Sequence, residues 1–204
     1  MKIAVIGNGN VGNALALRFA NTAGHQVVIG VRKPDDPEIK KVEVFPNIRV
    51  ADIATAAAGA DVILVATPAH VAVSLAEQLP PLDGKILIDA TNAVRQKPDP
   101  YPTAFHAFQA LTKATCVKAF NTTGFENMQN PFYNNVPIDL FMAGNDKAAK
   151  EVTRQLALSA GFGECYDFGG DDKVVLLEQF ALSWINLAIM QGHGRGIAFK
   201  LLKR

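Results

Sequence analysis

Cysteine is scarce in this sequence. Cys116 and Cys165 are the two cysteines among 204 residues, and both lie far apart inside apolar runs. Such a spacing fits neither a disulfide framework nor a zinc-binding motif. We therefore expect two buried thiols that belong to a hydrophobic core, and we expect no metal site.

The sequence also lacks an excess of either charge. Twenty basic and nineteen acidic side chains give a formal net charge of +1, without a block of five or six like charges. Proteins that bind nucleic acid or anionic membranes through electrostatics concentrate basic residues. We therefore expect no nucleic-acid partner and a small molecule as the ligand.

Long apolar runs are missing as well. The longest candidate, residues 180–190, is interrupted by Ser183 and Asn186, whereas a membrane span needs about 20 apolar residues. The run IAVI before Gly7 is too short for a secretory signal. These absences predict a cytoplasmic protein without a membrane segment.

Short apolar segments alternate with helical patterns along most of the chain. Many of these segments are apolar on both faces, as in parallel sheets that are covered by helices. The alternation predicts an α/β fold with a doubly wound, mostly parallel sheet. The segments predicted as strands are IAVI, QVVIGV, IRVA, DVILVA, KILIDA, TCVKAF, IDLFMA and GECYDF.

Three further stretches have distinct compositions. Residues 93–103 and 124–137 are rich in Pro, Asn and Gln and follow predicted strands, which favours loops at the ligand-binding edge of the sheet. Residues 174–190 carry one charge, Glu178, and are apolar on nearly every helical face. This pattern predicts a buried helix under a cap or against a second subunit, and hence a homodimer.

The glycine motif GNGNVG follows the first predicted strand and opens a helix, which is the context that a dinucleotide-binding motif requires. Gly7 permits the tight turn, Gly9 lets the backbone approach a pyrophosphate, and Gly12 allows close packing of helix and strand. A helix that begins near Asn10 would direct its positive end at the phosphates. The predicted phosphate-binding residues are Gly7, Asn8, Gly9, Asn10, Val11 and Gly12.

Arg32 and Lys33 end the second predicted strand, where NAD enzymes usually place Asp or Glu for the adenosine ribose. Arg32 can donate two hydrogen bonds to a 2′-phosphate, and Lys33 adds a second charge. Two charge-assisted contacts predict a preference for NADP over NAD on the order of 100-fold. The alternative is a solvated turn in which Asp35 neutralises one charge.

Small and polar residues follow the fourth and fifth predicted strands. Ala66, Thr67 and Pro68 would let a ribose approach the backbone, and Asn92 can both donate and accept hydrogen bonds. Each stretch is also compatible with an ordinary turn. Residues 118–124, KAFNTTG, predict a polar floor beneath the hydride acceptor or a generic strand ending.

The histidines offer no clear catalytic group. His70 lies in the predicted crevice and could transfer a proton, although a surface position is the simpler interpretation. His193 lies in GHGRG, where it would close over a ligand or cap the preceding helix, and His25 and His106 lie in ordinary helical contexts. We therefore assign no catalytic residue.

Taken together, GNGNVGNALA, AGHQVVIGVRK, VATP, DATN, VKAFNT and GHGRGIAFKLL resemble the F420-dependent NADP oxidoreductase family, over essentially the whole chain. The fold of this family is also similar to the cytoplasmic domain of six-transmembrane metalloreductases. The resemblance implies an NADP-binding Rossmann domain over residues 1–168 and a small helical part over residues 169–204 that closes the cleft. It also places Asn121 beside the nicotinamide.

The activity implied by the resemblance is direct hydride transfer between NADP(H) and a deazaflavin, coenzyme F420, or a flavin. Such a transfer needs alignment more than a proton donor. One alternative is a reductase of a small imine, ketone or acid, which needs a proton donor such as His70, Lys118 or Thr122. Another alternative is a binding module that senses NADP(H) without turnover.

Overall fold

The computed structural model describes residues 1–204, and its centre is a six-stranded parallel sheet. The order β3-β2-β1-β4-β5-β6 is that of a dinucleotide-binding Rossmann sheet and confirms the doubly wound α/β prediction. The six strands are β1 Lys2–Ile6, β2 Gln26–Val31, β3 Ile48–Asp52, β4 Val62–Val65, β5 Ile86–Asp89 and β6 Thr115–Lys118.

All eight segments predicted as strands form strands. The short strands β9, Leu140–Met142, and β10, Cys165–Asp167, pair in parallel with each other. An antiparallel bridge between Lys118 and Ala143 connects them to β6 at the edge of the main sheet. The strands β1 to β3 are added toward one edge of the sheet, and β4 to β6 are added toward the other edge. The crevice that commonly holds ligands in such sheets lies at the carboxyl ends of β1 and β4, where this order reverses.

Helices cover both faces of the sheet. One apolar cluster joins the sheet to α1, α6 and α7, and a second joins the opposite face to α3, α4, α5 and α8. The helices are α1 Asn10–Asn21, α2 Pro37–Lys40, α3 Ile53–Ala58, α4 Ala72–Ala76, α5 Ala104–Leu111, α6 Phe125–Gln129, α7 Lys147–Ser159 and α8 Val174–Ile185.

Both cysteines are buried free thiols, as the sequence predicts. Cys116 is 7% exposed and Cys165 is 2% exposed. Burial raises the pKa of the Cys116 thiol to about 12, and it raises the pKa of Cys165 as well. Because the thiolate is the reactive form, these side chains act as packing groups of the core.

Residues 93–103 contain no helix or strand, in agreement with the predicted loop. The prediction was wrong for residues 124–137, which contain α6 and a hairpin of β7, Phe132–Tyr133, and β8, Val136–Pro137. The hairpin turns at Asn134 and Asn135, whose φ angles are 48° and 67°. Asn tolerates this left-handed region, so two consecutive Asn residues form a tight turn.

Helix α8 is only partly buried within the chain, and its burial against a second subunit stays a prediction. Val174, Leu177 and Ala181 face the core, while the opposite side exposes large apolar side chains. These exposed side chains are Val175, Leu176, Leu182, Leu187, Ile189 and Met190. The C-terminal residues cover only part of the helix: Phe199 stacks on Phe180 at 4.5 Å between ring centroids, and Trp184 Nε1 donates to the Ile197 carbonyl. Asp139, just before β9, accepts hydrogen bonds from Lys200 and Leu201.

The helical stretch Asp171–Met190 is also long and apolar enough to cross a membrane. Its most apolar window has a mean hydropathy of 1.4, and 33% of that window is buried within the chain. A core helix of a soluble protein meets the same criterion, so this property alone does not assign a membrane location.

Candidate functional site

A cleft of about 440 Å³ lies at the carboxyl ends of β1, β2 and β4, where the strand order reverses. Half of the fourteen residues predicted to bind the cofactor line it. They are Gly7, Asn8, Arg32, Ala66, Thr67, Pro68 and His70. The other predicted residues lie next to the cleft in α1, beside Arg32, or farther along the same edge of the sheet.

Two of the three motif glycines are required by packing. Gly7 has a φ angle of 108°, and a Cβ atom at this position would lie 2.8 Å from the Ala66 carbonyl oxygen. A Cβ atom on Gly12 would lie 2.0 Å from the Gly7 carbonyl oxygen. Gly9 differs, because its φ angle is −72° and nothing lies within 4 Å of the place where its Cβ would be. Gly9 therefore leaves open space beside the cleft.

The N-terminus of α1 is free of competing groups. Gly9 caps the helix without a side-chain hydrogen bond, and the first turn holds no acidic residue. The backbone amides of Asn10 and Val11 in this turn have no intrahelical acceptors. Asn13 donates a hydrogen bond of 2.9 Å to the Asn8 carbonyl and braces the loop. The positive end of a twelve-residue helix therefore lies at the glycine turn.

Arg32 and Lys33 are exposed, and their side chains make no hydrogen bond or ion pair within the chain. The acidic residues that follow them have other partners. Asp35 accepts a hydrogen bond of 2.9 Å from Lys40, which raises the pKa of that lysine, and Asp36 caps α2. Asp35 therefore pairs with Lys40 and with neither residue of the basic pair. Two unpaired cations remain at the end of β2.

Eight residues of the cleft were not predicted from the sequence. Ile6, Gly30 and Val31 end β1 and β2, and five more come from other elements. These five lie at the start of α3 and along α4, whereas the sequence argument followed only strand ends. The apolar members offer surfaces to a flat ring, and Gln78 donates to the Ser74 carbonyl at 2.9 Å. These five residues are Ile53, Val71, Ser74, Leu75 and Gln78.

Asn92 and Asn121 are held against each other beyond the cleft. Asn92 Nδ2 donates to the Asn121 carbonyl at 2.7 Å, and Asn121 Nδ2 donates to Asn92 Oδ1 at 3.0 Å. The pair therefore bridges the chain segments that follow β5 and β6. Because the Asn92 amide is already engaged, less of its hydrogen-bonding capacity remains for a ligand than the sequence suggested.

Three buried polar atoms at this edge lack a hydrogen-bond partner. They are Thr67 Oγ1, Thr91 Oγ1 and Asn121 Oδ1, and they follow the neighbouring strands β4, β5 and β6. Buried polar atoms are normally hydrogen-bonded. A row of such atoms along one edge is the arrangement that a polar ligand would satisfy.

Phe120 fixes the backbone just before Asn121. Its φ angle is 60°, which is unusual for an aromatic residue, and its side chain is fully buried. The ring packs edge-on against Phe19 at 5.8 Å and Phe162 at 6.1 Å between centroids. Strained backbone of this kind persists where packing holds it in place, and it concentrates at functional sites.

Lys118 is fully buried at the end of β6 and cannot reach a substrate. Its Nζ atom lies 2.9 Å from Asp89 Oδ2, 2.6 Å from Glu178 Oε1 and 2.5 Å from the Thr91 carbonyl oxygen. Lys118 therefore belongs to an internal charge cluster and does not line a polar floor as the sequence suggested. Among the proposed proton donors, Thr122 is also buried, and His70 is exposed in the cleft.

The histidine in the GHGRG segment lies outside the cleft. The backbone N–H of His193 donates to the Leu187 carbonyl, and its side chain is exposed. This contact corresponds to the capping alternative. The neighbouring Arg195 lies over the rings of Phe125 and Trp184, with 5.4 and 5.6 Å to their centroids.

The resemblance found in the sequence is confirmed by comparison with known proteins. Residues 2–93 match the family described as NADP oxidoreductase coenzyme F420-dependent. The F420-dependent NADP reductase of Methanocaldococcus jannaschii is 28% identical over 222 residues, which cover 97% of each chain. The metalloreductase STEAP3 of Rattus norvegicus is 27% identical over 79% of this chain and 32% of its own.

A solved structure shares the complete fold. It is a crystal structure from Arthrobacter sp. FB24 described as a candidate F420-dependent NADP reductase, with 29% sequence identity and a TM-score of 0.83. The match covers 100% of both chains. The architecture described above therefore extends over the whole length of this relative.

Two alanine substitutions test which motif glycine is required by packing and which has free space around it. We expect Gly12→Ala to lower the free energy of unfolding by about 1–3 kcal/mol or more, because its methyl group overlaps a backbone carbonyl. Gly9→Ala should unfold within about 0.5 kcal/mol of the wild type, as is usual for an unstrained surface change. Urea unfolding monitored by circular dichroism measures both. Equal stabilities would contradict the packing assigned to Gly12.

Proposed function

We propose, from the likeness to the F420-dependent NADP oxidoreductases and from the geometry of the cleft, that this chain exchanges hydride between NADP(H) and a deazaflavin or flavin. The observation that carries this proposal is the unpaired Arg32 at the end of β2, inside the cleft. A carboxylate at this place would repel a 2′-phosphate. A guanidinium binds it through two charge-assisted hydrogen bonds.

The glycine turn fits the diphosphate of such a nucleotide. Its backbone amides are not capped by a side chain, and Gly9 leaves space for close approach. The apolar side chains of Ile53, Val71 and Leu75 are suited to hold the adenine between α3 and α4. The phosphate, adenosine and ribose parts of the nucleotide would thus contact different elements of one sheet edge.

The nicotinamide end would lie along the carboxyl ends of β4, β5 and β6. The unpartnered atoms Thr67 Oγ1, Thr91 Oγ1 and Asn121 Oδ1 are matched to ribose hydroxyl and carboxamide groups. The bound nucleotide supplies the hydride chemistry. The chain binds and orients it and excludes water from the reacting ring. This division of roles agrees with a site in which we assign no general acid or base.

The first prediction of this proposal concerns cofactor choice. Replacing both cations, Arg32→Gln and Lys33→Gln, should weaken NADPH binding on the order of 100-fold, because two charge-assisted contacts are lost. NADH binding should change little, since NADH has no 2′-phosphate. Fluorescence titration with both nucleotides measures the two dissociation constants.

The matched control removes two exposed cations from the opposite part of the molecule. Lys147 and Lys203 lie in a shallow groove beside α7 and β10, so Lys147→Gln with Lys203→Gln changes the net charge equally. This control should bind NADPH as the wild type does. Equal weakening of NADPH and NADH in the Arg32 and Lys33 variant would refute the assignment of the 2′-phosphate.

A panel of acceptors tests the proposed reaction. We expect NADPH oxidation to be fastest with a deazaflavin, slower with FMN, and slow with a quinone or a ferric chelate, because two-electron hydride transfer needs ring-on-ring alignment. Stopped-flow absorbance at the nicotinamide band gives the rates. NADPH binding without turnover for any acceptor would instead support the sensing module.

A second candidate is the reduction of a small imine, ketone or acid. One observation favours it: His70 lines the cleft and its side chain has no hydrogen-bond partner within the chain. Because Lys118 is enclosed by three acceptors, His70 is the accessible group among the three proposed donors. His70→Gln discriminates the two reactions, since a proton donor is needed for imine reduction and not for hydride exchange.

We also propose that the chain works as a cytoplasmic homodimer. The helical stretch Asp171–Met190, which contains α8, exposes Leu176 at 49% and Ile189 at 52%, together with other apolar side chains. A second copy of the same helix would cover such a stripe. The small C-terminal part proposed over residues 169–204 would then close the cleft from the dimer interface.

Charged substitutions on this stripe test the dimer. Leu176→Lys with Ile189→Lys should convert a dimer into a folded monomer, because both side chains are exposed within one chain. Light scattering gives the mass, and Val44→Lys, at a position that is 79% exposed elsewhere, is the control. A wild-type protein that stays monomeric at micromolar concentration would overturn the proposal.

A further inference from the structure

A buried charge cluster lies at the carboxyl ends of β5 and β6 and contacts the backbone of Thr91, one of the residues with an unpartnered hydroxyl. Asp89, Lys118 and Glu178 come from the end of β5, the end of β6 and the middle of α8. The Asp89 and Lys118 side chains are 0% exposed and the Glu178 side chain is 10% exposed. Lys118 Nζ contacts Asp89 at 2.9 Å and Glu178 at 2.6 Å. One lysine and two acidic side chains give the cluster a formal net charge of −1.

No second cation balances this cluster. Each carboxylate forms an ion pair with Lys118 and with no other side chain. The remaining donors are backbone amides: Thr91 N donates to Asp89 at 2.9 Å, and Ala93 N donates to Glu178 at 2.9 Å. Backbone amides stabilise a carboxylate but add no net charge. An uncompensated negative charge is therefore enclosed at the carboxyl edge of β5 and β6.

The cluster is built into the segment that carries the orphaned hydroxyl. Thr91 donates its N–H to Asp89 and accepts from Lys118 with its carbonyl, while its Oγ1 atom has no partner. The next residue, Asn92, is clamped to Asn121. The charge therefore lies within one residue of the groups that we assign to the nicotinamide end. Burial leaves little solvent to screen it over this distance.

We propose that the Asp89–Lys118–Glu178 cluster sets the redox preference of the bound nucleotide by favouring the oxidised, positively charged nicotinamide ring. This inference rests on the proposed function. The two redox forms of NADP share their phosphates and adenosine and differ by one charge at the nicotinamide. A fixed negative charge beside that ring therefore stabilises NADP+ more than NADPH and makes the bound NADPH a stronger hydride donor.

Glu178 is accordingly a positioning residue with an electrostatic effect, and a purely structural role makes a different prediction. Loss of structure at the Thr91–Ala93 segment would weaken both redox forms alike. Loss of charge alone would change the ratio of their dissociation constants. The ratio Kd(NADP+)/Kd(NADPH) is therefore the decisive quantity, and it requires no turnover.

The experiment measures this ratio by isothermal titration calorimetry in the wild-type chain and in two variants. Glu178→Gln and Asp89→Asn each remove one negative charge, at different members of the cluster, and bring its formal net charge to zero. We expect each variant to raise the ratio about tenfold, as a unit charge does over roughly 10 Å in a partly buried site. For a two-electron couple, this tenfold change is a shift of about 30 mV in the potential of the bound nucleotide.

The control variant Glu164→Gln removes one carboxylate that pairs with Arg154 on the α7 and β10 side of the molecule, and it should leave the ratio unchanged. Circular dichroism checks that each variant is folded. An unchanged ratio in a folded variant, as when both forms are weakened equally, would overturn the inference. A wild type that binds neither form would instead overturn the proposed function.

Discussion

The close contact between the first turn of α1 and the loop after β1 is the constraint on which the site depends. At Gly12 the helix approaches the Gly7 carbonyl so closely that no side chain fits. Gly7 in turn packs against the backbone at Ala66, after β4. These two contacts bring the ends of β1 and β4 together at the reversal of the sheet. The cleft, the uncapped helix and the row of polar atoms are consequences of that arrangement.

The second organising element is the buried charge cluster, which ties α8 to the sheet. Glu178 is the one charged side chain of α8, and it contacts Lys118 and the Ala93 amide. Removing one partner from a buried ion pair typically costs about 3–5 kcal/mol. Structures in which Asp89, Lys118 and Glu178 separate are therefore strongly disfavoured. The helix whose outer side is apolar is thus held in a fixed place beside the ligand edge, with that apolar side facing outward.

The sequence predicted the sheet well because its strands are unusually uniform. Strands that are apolar on both faces, such as VILV after Asp61, leave few alternatives to a parallel sheet, and all eight predicted strands form. The prediction failed where local and tertiary signals compete. The Asn-rich stretch before β9 suggested a loop, yet Asn134 and Asn135 form a hairpin turn. Likewise, the composition of α8 could not show which of its side chains the C-terminal residues cover.

The parts of the site that are formed by residues adjacent in sequence could be predicted, and the parts formed by distant elements could not. The glycine turn and the basic pair follow from residues adjacent in sequence, so their positions could be inferred. The roles of Lys118, Asp89 and Glu178 depend on three elements that meet only in the fold. A lysine at a strand end looks like a surface group or a proton donor, and no neighbouring residue indicates that two carboxylates enclose it. The side of the cleft formed by α3 and α4 was missed for the same reason, since both helices approach it from distant parts of the chain.

Hydride transfer, as proposed for this chain, explains both why we assign no acid or base and how a buried negative cluster could contribute. A hydride carries its own electron pair, so its transfer to an acceptor ring can proceed without a proton at the reacting carbon. The protein can then act on the rate through alignment and through the charge that the nicotinamide gains when it is oxidised. In the proposed function, the formal charge of −1 at the ends of β5 and β6 acts on that quantity, because the nicotinamide ring becomes positively charged when it loses the hydride. An acid placed at the same edge would serve imine reduction instead, and Lys118, which might have been that acid, is held by Asp89 and Glu178.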